Sequence, residues 1–165
     1  MSADAFLVRA PRFAVALAAC ECWSCVQRTR VGRLVIGPQA PDDDDASGAA
    51  DEDPSELTYI QSLNADALAA VLQVAPWMRW LGSNSTGTTY FGNGCEHCGV
   101  LQGEHFLGEP GGPYFPLSNE EAKAISMTWV ETLLEAAVGG LSMGVVWLRT
   151  APVRKPRKPR KRSSN

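Results

Sequence analysis

Cys22-Trp23-Ser24-Cys25 and Cys95-Glu96-His97-Cys98-Gly99 are the two stretches on which the reading of this chain turns. Each is a Cys-x-x-Cys pair, and two intervening residues let a tight turn aim both sulfurs at one point while backbone N–H groups face them. Two such pairs supply the four thiolates of a closed tetrahedral site, the shell of a structural zinc ion. Gly99 follows the second pair where a knuckle of this kind turns through positive φ, a conformation glycine adopts cheaply. Val26 holds the matching place after the first pair, so the geometry there is less well specified.

Other chemistry of the same thiols stands beside this reading. Four cysteines suit an iron–sulfur cluster equally well, and in an exported protein they would form two disulfides. A redox dithiol needs a βαβ context that neither pair has. The 69 residues between Cys25 and Cys95 far exceed the roughly 15–20 of compact zinc modules. Loop-closure entropy grows only logarithmically, so the long insertion is no thermodynamic obstacle. The fifth cysteine, Cys20, makes the count odd and is read as a small buried residue.

Outward from the cysteines, apolar runs alternate with breakers. Ala5–Val8, Arg12–Leu17, Val31–Ile36, Trp77–Leu81 and Thr88–Phe91 are short, rich in β-branched or aromatic residues, and read as strands. Asn64 is placed to cap a helix running to Ala75, with Leu68, Val71, Leu72 and Ala75 on one face before Pro76. Ser118-Asn119-Glu120-Glu121 has the capping-box pattern and predicts a second helix to about Val138. Ile125, Trp129, Thr132 and Leu133 would be its buried stripe, and Gly139-Gly140 its stop, ahead of a closing strand over 141–148.

Charge divides the chain more sharply than its formal net of −3 indicates. Up to Leu148 there are 7 basic and 18 acidic residues, and eight of the acids fall between Asp42 and Glu56. Residues 38–56 have almost nothing to bury and read as a disordered acidic loop. The opposite charge collects at the other end. Arg154, Lys155, Arg157, Lys158, Arg160, Lys161 and Arg162 form a basic strip that two prolines hold extended. Such a strip gains affinity for DNA or RNA by releasing counterions. It also suits self-contact with the acidic run, or solubilisation alone.

Two further readings concern membrane and catalysis. Arg9 and Arg12 ahead of Phe13–Ala19, with Leu17-Ala18-Ala19-Cys20, have the form of a lipoprotein leader with Cys20 as anchor. The apolar run is short for that role, and no span is expected because Glu131 and Glu135 interrupt residues 129–148. For an enzyme, the loop from Glu96 to His105 carries Glu96, His97, Glu104 and His105 beside the metal pair, enough for a metal-dependent hydrolase. Against it, four cysteines close the zinc shell, and no His-Glu-x-x-His, nucleophile elbow or phosphate loop is present. No residue is assigned a catalytic role.

The segment Tyr90-Phe91-Gly92-Asn93-Gly94 leading into the second pair, its continuation to Leu107, and Glu109-Pro110-Gly111-Gly112-Pro113-Tyr114-Phe115-Pro116 resemble uncharacterised bacterial zinc-ribbon proteins. Members of that set carry a Cys-Trp-x-Cys pair near the N-terminus, matched by Cys22-Trp23-Ser24-Cys25, and the likeness covers about half the chain. It implies shared metal ligation and a bacterial, cytoplasmic setting, and it implies no activity. The resulting expectation is an α+β fold, a small zinc-ribbon-containing domain over 1–150 with two helices, followed by a disordered tail over 151–165. Its expected function is that of a zinc-binding adaptor or regulator contacting nucleic acid or a protein partner.

Overall fold

The computed structural model describes residues 5–37, 54–143 and 153–154. Its elements run, in chain order, β1 (Phe6–Ala10), β2 (Phe13–Glu21), β3 (Arg28–Ile36), β4 (Ser55–Leu63), α1 (Ala65–Val74), β5 (Met78–Ser83), β6 (Thr88–Gly94), β7 (Leu101–Gln102), α2 (Glu104–Gly108), α3 (Asn119–Ala122), β8 (Ser126–Val130), β9 (Leu134–Met143) and β10 (Val153–Arg154). One sheet takes them in the order β1-β9-β4-β3-β2-β8-β10, with β5, β6 and β7 branching from β4. Every pairing is antiparallel except that of β10 with β8.

The centre of the sheet is buried on both faces, which is why β2 is apolar at successive positions. Phe13 and Val15 join Leu34, Leu57, Ile60 and Val138 under α1, while Ala14, Ala16 and Ala18 join Val31, Val35, Leu107, Tyr114 and Ile125 on the other side. The two layers follow the two-residue period of the strand. The helix α1 seats Ala67, Val71 and Ala75 against the first layer. Its apolar stripe is therefore turned from the expected one, and Leu72 is left 38% exposed. Asn64 precedes α1 without capping it through its side chain. That side chain instead donates to the Leu133 carbonyl and accepts from the Glu135 N–H.

These findings overturn the expected α+β zinc-ribbon domain with two helices: the structure is mostly antiparallel β-sheet. The error lies in the stretch read as a second helix. Ser118 does cap, accepting from the Glu121 N–H at 3.2 Å, but α3 ends after one turn at Ala122. Ser126–Val130 and Leu134–Met143 are strands. In β9, Leu134, Ala136 and Val138 are buried and Glu135 is exposed, an alternation of two and not of four.

Gly139 and Gly140 do not stop a helix. They pair across from Thr58 and Tyr59 of β4, where Tyr59 takes φ 52°, just ahead of a register slip between Ile60 and Ser62. A Cβ on Gly139 would stand 2.9 Å from the Cβ of Tyr59, and one on Gly140 would collide with the Thr58 hydroxyl. The glycines leave room for this close approach of β4 beside its β-bulge.

The boundaries of the charged segments also change. Ser55 and Glu56 begin β4 and are buried, so the acidic loop does not reach 56. Val153 and Arg154, expected in the tail, pair with Met127 and Thr128. The remainder of both segments, 38–53, 151–152 and 155–165, lies outside the described residues, as does 144–148 of the expected closing strand.

Candidate metal centre

Each cysteine pair sits at the tip of a β-hairpin. Cys22 to Cys25 turn β2 into β3, and Cys95 to Cys98 turn β6 into β7. The two tips are built alike, bond for bond. Cys22 N–H donates to the Gln27 carbonyl at 2.9 Å and Val26 N–H to the Cys22 carbonyl at 3.0 Å; Cys95 with Val100, and Gly99 with Cys95, repeat both bonds at 2.9 and 3.0 Å. Ser24 N–H points at the Cys22 Sγ and His97 N–H at the Cys95 Sγ, each at 3.4 Å. Gly99 turns at φ 80° and Val26 at φ 63°. The knuckle geometry thus overrides the residue, and Val26 holds a conformation that costs an L side chain about 1–2 kcal/mol.

The tips meet. Cys22 Sγ lies 3.7 Å from Cys98 Sγ, and Cys25 Sγ lies 3.7 Å from Cys95 Sγ. All four sulfurs fall within 4.8 Å of one another. A tetrahedron with metal–sulfur bonds of ~2.3 Å has edges of ~3.8 Å, so the spacing suits one ion. It is far beyond the ~2.05 Å of a disulfide, and all five cysteines are free thiols. The four sequence-predicted ligands form a cluster that can hold a metal ion.

The electrostatics fit a cation. Burial opposes ionisation of Cys95, but the N–H groups of Cys98 and His97 outweigh it and bring its thiol down to about 6. Cys22 is likewise lowered against its burial, by the N–H groups of Cys25 and Ser24 and by Gln102. At Cys25 the Gln27 N–H favours the thiolate, yet desolvation and the neighbouring sulfurs push the thiol up to about 12. Four sulfurs this close cannot all ionise unaided; a bound cation removes that conflict.

The surroundings of the cluster include residues that the sequence reading passed over. Gln102, buried in β7, donates Nε2 to Cys22 Sγ at 3.3 Å. Trp23 Nε1 donates to the Leu101 carbonyl at 2.8 Å, tying the first tip to the second hairpin while its ring stays 62% exposed. Asn93 accepts from the Gly32 N–H at 2.6 Å and returns a bond to the Gly32 carbonyl at 2.8 Å. Only position marks these residues in the sequence: Asn93 stands two before Cys95, and Gln102 four after Cys98.

The polar groups of the 96–105 loop are separately engaged. Glu96 takes the Arg30 backbone N–H and guanidinium, with its own N–H on Thr29 Oγ1. His97 Nε2 lies 3.0 Å from the Arg28 carbonyl. Glu104 is buried against Arg33, and His105 is exposed on α2. These groups do not converge beside the sulfurs. Cys20 pairs opposite Thr29 in β2, and burial raises its thiol to about 11. Of the basic strip, Arg154 lies in β10, and Lys155, Arg157, Lys158, Arg160, Lys161 and Arg162 lie outside the described residues. Among the described residues no helix is long and apolar enough to cross a membrane. No family model, curated protein or solved structure matches the chain.

Proposed function

We propose that the four-cysteine centre holds a structural zinc ion, and that the protein works by binding, as an adaptor or regulator. The carrying observation is the paired 3.7 Å sulfur contacts between two hairpin tips of matching construction. Four thiolates close the shell of such an ion and leave no position for substrate. The N–H groups aimed at sulfur favour thiolates that stay bound to the metal. Glu96 and Glu104 are occupied by arginines, which weighs against an acid–base role. The resemblance to bacterial zinc-ribbon proteins extends, in this reading, to the ligands alone.

The partner is a nucleic acid, engaged by the basic run 154–162 along phosphates. Elemental analysis should return one zinc per chain, with thiol titration counting at most one cysteine, slow to react, in the loaded protein and five after chelation and unfolding; iron or no metal would remove the zinc assignment. A gel shift should be salt-sensitive, and seven cations set its log–log salt slope at about −5 to −6. Deleting residues 155–165 should abolish the shift. An unchanged shift would take the tail out of the function.

A further inference from the structure

Away from the metal, three charged side chains are buried together. Arg33 on β3 donates Nη1 to Glu56 Oε2 on β4 at 3.1 Å and Nη2 to Glu104 Oε2 on α2 at 2.6 Å. It also reaches the Glu104 carbonyl, and its guanidinium lies 4.6 Å over the Tyr114 ring. Arg33 is 3% exposed, Glu56 3% and Glu104 7%. The titratable groups packed round them are Tyr114 from the loop, Tyr90 from β6, whose hydroxyl accepts from the Glu104 N–H, and Cys20 on β2 beside Tyr114. None of these adds a second positive charge. Two carboxylates therefore face one guanidinium, and full ionisation would leave an uncompensated negative charge in the core. Among the described residues, Glu56 Oε1 and Arg33 Nε have no hydrogen-bond partner.

We propose that Arg33, Glu56 and Glu104 form a one-proton latch: the two carboxylates share a proton, and its loss releases the 103–117 segment from the sheet. The latch is the polar tie between that segment and β3. Tyr114 lies under the guanidinium and also donates its hydroxyl to the Ala16 carbonyl of β2 at 2.8 Å, Leu107 shares its apolar cluster, and Gly108 packs against the guanidinium. The same segment forms one wall of a groove of about 910 Å³, whose other wall carries Cys20 and Trp23. Opening would therefore reshape the surface next to the first knuckle.

The direction is set by the carboxylates. Burial raises both, with Arg33 opposing; Glu56, which the Glu104 carboxylate pushes further in the same direction, reaches about 7. A raised native value means the folded state holds its proton more tightly. Its stabilising effect is complete below the ordinary carboxylate range of ~4.3 and is lost as pH rises through about 7.

Amide hydrogen exchange of the metal-loaded protein tests this. Corrected for intrinsic rates, protection at Leu107 and Tyr114 should fall above neutrality at up to about tenfold per pH unit. In Glu56→Gln the same amides should change less than about threefold, since no second carboxylate remains to ionise. Protection of the Val26 and Gly99 amides should not share the trend. A flat wild-type profile, an equal slope in the variant, or parallel loss at the knuckles would overturn the latch. If the variant does not fold, the carboxyl carbons of Glu56 and Glu104 in the wild type decide: one must titrate near neutrality, and ordinary behaviour of both would end the proposal.

Discussion

With the proposed ion in place, removing it is the sharpest perturbation, because it would join hairpins far apart in the chain. If the unfolded chain kept the ion on all four sulfurs, the folded state would still gain the entropy of a loop already closed. For the 69 residues between Cys25 and Cys95, a cross-link of this kind is worth about 4 kcal/mol at 25 °C. If the unfolded chain releases the ion, the binding free energy adds to that figure, so 4 kcal/mol is a floor. For a chain of this size it corresponds to a fall in Tm of roughly 8–16 °C. The assay is a thermal melt by far-ultraviolet circular dichroism on metal-loaded and chelated protein, with metal content measured in both. Cys25→Ser should reproduce the chelated melt and respond no further to chelator. A verified metal-free protein melting within about 3 °C of the loaded form would refute the reasoning, since the sheet would then hold the hairpin tips together without help.

Two substitutions probe backbone strain at the knuckles, and a third tests the bulge. Val26→Gly removes the side-chain penalty at φ 63°, offset in part by glycine's greater freedom in the unfolded chain, and should stabilise by about 0.5–1 kcal/mol in a chemical denaturation series. Gly99→Ala, whose Cβ would meet Arg79 Nη2 at 2.9 Å, should move the same midpoint the other way. Gly139→Ala sets a Cβ 2.9 Å from that of Tyr59 and should cost about 1–3 kcal/mol, with loss of slow exchange along β4 and β9; a neutral result would mean that the bulge does not need the glycine.

The metal ligands were legible because their chemistry is local: two residues between cysteines define a chelating turn wherever it occurs. Strands β2, β3, β5 and β6 were legible for the same reason, as apolar runs of strand length. The sheet as a whole was not. In residues 118–138 the capping box is real, but it specifies one helical turn, and the conformation of the residues after Ala122 is decided by neighbours far away in sequence. Leu134, Ala136 and Val138 find a core only because β1 and β4 flank them. Helical propensity in an alanine-rich stretch is a weak prior that such burial overrides. Gly139-Gly140 misled because a helix stop and a close approach between strands ask for the same residue. Glu56 misled through its neighbours: it comes after a run of solvated acids, yet its carboxylate is spent on Arg33 inside the protein.

The placement of the four cysteines explains why a sheet with so extensive a core would gain from a metal ion there. The β6 hairpin carries two of the ligands, and its ladder to the main sheet consists of a single register pair, Ile60 with Phe91. It has no register with β3, the strand it must approach to bring the sulfurs together. Asn93 fills part of that gap, its amide giving Gly32 the donor and acceptor that a neighbouring strand would have supplied, while its Oδ1 also takes the Trp77 indole N–H at 3.1 Å. One side chain can imitate one rung and no more. Beyond Asn93 the hairpin is held by side-chain bonds and no ladder: Glu96 on Arg30 and Thr29, His97 on Arg28, the Leu101 carbonyl taking the Trp23 indole N–H, and Gln102 on Cys22. The four sulfurs lie where the ladder is missing. An ion held there would do for the β3–β6 joint what hydrogen-bonded pairs do elsewhere in the sheet.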